Sequence, residues 1–208
     1  MEQNENLNLN PIEIADGIYW LGYSSANVGL HCNPYMIRDG EEAVLIDGGS
    51  RDDFSHVMLK ILRTGLRPGQ IKRLIYHHYD PDLCGNIPQL QAIINSEDLR
   101  IISHMENNVF IQYYSSKIKK LDYRTLNSEF VFSSGRRLTF HATPFCHSPG
   151  SFITFDEQTK TLFSSDLFGS YDANWHLYIK LDPHCGQCMT QRICPYTGEK
   201  CPDRKSDV

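Results

Sequence analysis

Apolar positions recur along this chain in two rhythms, one of period two and one of period three to four. Residues 14–23 alternate apolar and polar side chains around Gly17, which predicts a hairpin strand entering a sheet. Two further apolar runs, residues 34–38 and 43–46, flank Asp39-Gly40, a dipeptide suited to turning a hairpin. Asp47-Gly48-Gly49-Ser50 then ends the second run in a glycine turn. Phe54, Val57, Met58, Ile61 and Leu62 share one helical face, so residues 54–64 are predicted as a helix stopped by Gly65. Residues 71–76 read as a short buried strand, residues 86–94 as a helix and residues 100–103 as a strand. Residues 107–121, of mixed polarity, read as a helix. Strands are predicted at 130–132 and 138–142, and a further pair at 151–156 and 161–164, joined by a polar turn at 157–160. Hairpins mixed with strand–helix–strand units predict a sheet-rich α/β domain covered by helices.

Composition narrows the class. The 208 residues suffice for one domain with its own core. A net charge of -5 gives no electrostatic footing for nucleic acid or an anionic membrane. No apolar run reaches transmembrane length. Residues 1–10 are polar, with neither a basic region nor an apolar stretch, so no secretory signal and a cytoplasmic location are expected. The expected organisation is a flexible lead-in over 1–11, a metal-binding domain over 12–182 and a Cys-rich tail over 183–208. The seven cysteines are an odd count in such a context, which favours reduced thiols or a metal site over a disulfide framework. Cys185, Cys188, Cys194 and Cys201 follow a Cys-x2-Cys-x5-Cys-x6-Cys spacing that suits zinc or an iron–sulfur cluster. The competing reading is a reduced, disordered tail broken by Pro195, Gly198 and Pro202.

Candidate chemistry gathers after the strands. The strand at 71–76 delivers His78, Asp80 and Asp82 in one tight loop, Tyr76-His77-His78-Tyr79-Asp80-Pro81-Asp82-Leu83-Cys84-Gly85-Asn86. Asp47 ends another strand, His147 lies in Thr143-Pro144-Phe145-Cys146-His147-Ser148, and Asp166 in Phe163-Ser164-Ser165-Asp166. Imidazole and carboxylate donors suit iron or manganese more than a thiolate-bound zinc. A single His or Asp at a strand end is commonly just a hydrogen-bonded turn residue. The metal reading leads because four segments agree. His77 is expected on the opposite face from His78, as a strand-end surface residue. His31, His56, His104 and His141 carry no motif and are read as structural.

These ordered motifs resemble the metallo-β-lactamase fold superfamily. The closest likeness is to the diiron domain of flavodiiron proteins and of the oxygen-binding diiron sensor proteins. The superfamily loop is His-x-(His/Glu/Asp)-x-Asp-His, and His78-Tyr79-Asp80-Pro81-Asp82 is similar to its carboxylate version, proline included. The resemblance covers residues 12–172 and implies an αββα sandwich lacking its last strand and helix. It implies that His78, Asp80 and His147 bind a first iron, that Asp82 binds a second and that Asp166 bridges them. Asp47 would orient a ligand from behind. Two departures stand out. Leu83 occupies the place of the loop's final His, and neither His176 nor His184 sits in a recognisable version of the family's last histidine motif. The second ion is therefore expected to be weakly held, completed by another chain, or missing.

Three functions follow from this reading. The first is a non-haem diiron protein that binds or reduces O2 or NO. It would act as an oxygen or redox sensor, or as a reductase fed by a separate electron donor or signalling protein, because no FMN phosphate loop is found. The second is a metal-dependent hydrolase using zinc, against which Asp80 and Leu83 depart from the all-histidine loop. The third is a non-enzymatic interaction domain with a degenerate site. Zinc and manganese remain alternatives to iron. A partner subunit, a second copy of this chain included, is one way to cover an apolar edge.

Overall fold

The computed structural model describes residues 9–23, 32–115 and 117–168. The strands are β1 (Ile12–Ala15), β2 (Ile18–Trp20), β3 (Tyr35–Asp39), β4 (Glu42–Ile46), β5 (Ile71–Ile75), β6 (Arg100–Ser103), β7 (Lys119–Asp122), β8 (Glu129–Val131), β9 (Arg137–Ala142), β10 (Phe152–Asp156) and β11 (Thr161–Phe163). The α-helices are α1 (Phe54–Arg63), α2 (Pro81–Cys84), α3 (Ile87–Ile94) and α4 (Met105–Ile111). Strands β1 to β7 form one sheet in sequence order, and β11-β10-β9-β8 form a second. The first sheet opens with antiparallel hairpins and becomes parallel from β4 to β7. The second is antiparallel throughout.

Side-chain alternation assigns each residue to one of two cores. On β4, Ala43 and Leu45 face the helices, where they pack with Val57, Met58 and Ile61 of α1 and Ile87, Leu90 and Ile94 of α3. Val44 and Ile46 face the other way and meet Leu138, Phe140, Phe152 and Phe163 of the second sheet. The central strands are thus buried on both faces, as parallel strands in layered folds are. This gives helix, sheet and sheet layers, as in the αββα sandwich. All four α-helices named here lie on the first sheet or follow its strands.

Local chemistry explains the element ends. The β3–β4 hairpin turns at Gly40, with φ +58. Gly17, with φ +67, turns β1 into β2, and a side chain there would clash with the Arg38 carbonyl oxygen. The helix expected over 107–121 is two elements instead. Helix α4 starts earlier, at Met105, capped by the His104 side chain, which accepts from the Glu106 amide at 3.3 Å. It ends at Ile111, and residues 119–122 become an added parallel strand beside β6.

Candidate metal centre

Among the described residues, the candidate ligands lie in the segments that follow strand ends. Strand β4 delivers Asp47, and β5 delivers His77 and His78. Pro81 opens α2 and holds Asp80 in extended backbone (φ -68, ψ 152), so Asp80 precedes the helix while Asp82 and Leu83 lie within it. His147 lies in the β9–β10 connection, and Asp166 in the 3-10 turn Ser165–Phe168 after β11. Four non-glycine residues here carry left-handed backbone: Asp47 (φ 49), Phe145 (φ 62), His147 (φ 80) and Ser165 (φ 49). Such conformations cost of order 1–3 kcal/mol each and gather where geometry serves function.

These loops bring the candidates together. His78, His147 and Asp166 form one group whose ligand atoms lie within 4.8 Å of one another, and His78, Asp80 and Asp82 form another. The His78 Nε2 is 3.4 Å from an Asp166 oxygen and 3.8 Å from an Asp80 oxygen. The His147 Nε2 meets that same Asp80 oxygen, Oδ2, at 2.7 Å. The His78 and His147 rings cross edge to face, 5.2 Å apart. On the far side of the His78 ring, Nδ1 lies 3.2 Å from the Ser165 hydroxyl. A hydrogen bond at Nδ1 fixes the ring and leaves Nε2 as the donor to the site.

Behind these residues lies a buried polar network. Asp47 accepts from the His77 amide at 3.0 Å and pairs with its Nδ1 at 2.6 Å. The His77 Nε2 reaches the Thr154 hydroxyl of β10 at 2.8 Å, joining the two sheets. Asn107 of α4 donates to the His77 carbonyl at 3.2 Å and to the Gly150 carbonyl at 2.8 Å. It thereby ties the His78 loop to the His147 loop. One expectation is corrected here. His77 is fully buried rather than on the surface. The opposite face of β5 is also interior, so pointing away from His78 means pointing into the sandwich. Asp47 bonds the amide and ring of His77, the residue next to His78.

Charge follows the same geometry. The hydrogen bond to Asp80 pushes the His147 imidazole above its ordinary value. Burial pushes the Asp82 carboxyl up. Among the described residues no cysteine sulfur belongs to either ligand group. Cys84 is buried, its sulfur 3.6 Å from the His78 carbonyl oxygen, and burial holds it well above the usual thiol range. Burial does the same at Cys32, whose sulfur is 4.0 Å from the Asp47 carbonyl oxygen. The cysteines at 185, 188, 194 and 201 lie outside the described residues.

This order of loops at the ends of strands in two facing sheets is matched by known proteins. The family model "ODP family beta lactamase" matches residues 30–191, a span that holds His78, Asp80, Asp82, His147 and Asp166. The chain belongs to this family. It is 26% identical over 190 residues to a type A flavoprotein, fprA, of Rhodobacter capsulatus, covering 82% of this chain and 42% of the relative. It is 25% identical over 179 residues to an anaerobic nitric oxide reductase flavorubredoxin of Aeromonas salmonicida, covering 80% and 34%. The flavodiiron protein from Giardia intestinalis has the same fold, with a TM-score of 0.67 and 21% identity over 80% of this chain and 42% of its own. The chain spans less than half the length of these curated relatives.

Donor chemistry in this ODP family member fits a metal. His78 is 2% exposed, and its Nε2 has no hydrogen-bond partner. A buried, unpartnered imidazole nitrogen costs free energy unless something accepts its lone pair or its proton. Donors about 2.0–2.2 Å from one ion lie about 3–3.6 Å from each other, and the spacings of 2.7, 3.4 and 3.8 Å bracket that range. The network partners Asn107 and Thr154 went unassigned in the sequence, and His77 was read as a surface residue. The one signal for them was the double histidine after a strand buried on both faces.

Proposed function

We propose that this chain is a non-haem iron protein that binds O2 or NO at His78, Asp80, His147 and Asp166. The observation that carries the reading is the donor set: two imidazoles and carboxylates converge on the unpartnered His78 Nε2, with the buried Cys84 thiol turned to a backbone carbonyl. Imidazole and carboxylate without thiolate suit iron in preference to structural zinc. Iron(II) would supply electron density to a bound diatomic molecule. The chain's own residues do the rest. Ser165 sets the His78 ring, Asn107 holds the two histidine loops together, and Asp80 bonds the His147 Nε2 and holds that ring toward His78.

Exposed aromatic side chains lie close in sequence to the donors. Phe145 (81% exposed) and Phe168 (72% exposed) each lie two residues from a candidate ligand, and Tyr79, between His78 and Asp80, stacks on Phe110 at 4.3 Å. The named activity of the Aeromonas relative, nitric oxide reduction, supports the ligand class. An electron donor or signalling partner supplied by a separate protein goes with this reading.

The test is to purify the protein anaerobically, count iron, zinc and manganese per chain, then admit O2 or NO and record the visible spectrum. Retained iron with a new charge-transfer band on adding gas is expected. Zinc with turnover of an ester, thioester or lactam would assign the chain to the hydrolases, and no stoichiometric metal would leave an interaction domain.

A further inference from the structure

We propose that this centre holds one metal ion where the family resemblance implies two. The inference rests on the reading of the site as an iron centre and concerns how many ions it retains.

Three observations carry it. First, the two ligand groups are not independent: His78 belongs to both. Its Nδ1 faces Ser165, so a single nitrogen, Nε2, is left for both groups, and one lone pair binds one ion. Second, the donors nearest that nitrogen are an Asp166 oxygen at 3.4 Å and an Asp80 oxygen at 3.8 Å, and Asp80 is itself 2.7 Å from His147. One ion placed among them gains two imidazoles and two carboxylates. Two histidines with carboxylate and open positions is the donor pattern of mononuclear non-haem iron(II).

Third, the position that would complete a second ion is spent on packing. Leu83 directly follows Asp82 and is 3% exposed, buried in the helix-side core with Cys84, Ile87 and Leu90. Among the described residues a second ion would find Asp82 and a share of Asp166. Carboxylates and water suit magnesium, calcium or manganese more than iron(II), so iron there would be more labile than iron held by the two imidazoles. The hydrophobic Leu83 is therefore the residue that turns a two-ion loop into a one-ion loop.

The experiment loads the full chain anaerobically with iron(II), desalts it, and measures iron per folded chain together with the EPR spectrum after adding NO. One iron per chain and a strong half-integer-spin signal are expected, because an isolated iron–NO unit has an odd electron count. Two irons per chain with that signal cancelled by coupling would overturn the inference and leave the iron reading intact. Zinc alone, or no metal, would overturn both. Leu83→His is the complementary variant: the count should rise from one to two. A folded Leu83→His protein that still holds one ion would contradict the role given to Leu83. Should the variant fail to fold, the wild-type count and spectrum decide the question.

Discussion

His77 and His78 are adjacent in the chain and opposite in task. His78 turns an unpartnered nitrogen toward the carboxylates, while every polar atom of the His77 ring is matched inside the sandwich. The ligand loop was legible because proline, histidine and aspartate fall in a fixed spacing. The role of His77 was not, because alternation says which side a residue faces and not whether that side is wet. Asp47 can be tested directly. Asp47→Ala leaves the His77 amide and Nδ1 buried without acceptors, which should cost about 2–3 kcal/mol in denaturant unfolding. It should also weaken metal affinity about 10–100-fold, since the loop carrying His78 loses its anchor. Unchanged stability and affinity would show that the pairing is incidental.

At the scale of elements, hairpins and amphipathic helices were readable and the β6–β7 region was not. Asp39-Gly40 and the 54–64 periodicity mark β3–β4 and α1 to within a residue or two. Residues 107–121 misled because Lys119 and Lys120 on β7 are polar, and only their pairing with Arg100 and Ile101 makes them a strand. The second sheet is pinned by an ion pair between Arg136 and Asp156 that no sequence motif marks. Asp156, at the end of β10, is fully buried and takes two bonds from Arg136, at 3.0 and 2.8 Å. Arg136 also donates to the Asp16 carbonyl, binding the first hairpin to the second sheet. Burial alone would raise the Asp156 carboxyl, but the bonds from Arg136 and Thr159 outweigh it and hold it below the usual range. A depressed carboxyl contributes stability above the unfolded value of about 3.9, and that contribution is lost as pH falls through the folded value. Asp156→Asn should therefore cost about 3–5 kcal/mol at neutral pH, because it strands a buried guanidinium. The gap from wild type should narrow as pH falls below 4. A gap independent of pH in chemical denaturation would rule out the ionic account.

At the largest scale, the described residues form a frame that carries loops to one end of two sheets. Fold class follows from strand order and from cores on both faces of the first sheet, and the family match agrees with that architecture. Function rests on fewer residues: His78, Asp80, His147 and Asp166 come from three separate loops, and the sheets alone make them neighbours. No helix among the described residues is long and apolar enough to cross a membrane. What the frame serves is best tested by removing its central donor. Wild-type protein and His78→Ala are loaded anaerobically with iron(II), desalted and analysed for iron per folded chain. The wild type should retain iron that the variant loses. Equal iron in the two proteins would contradict a metal centre built on His78.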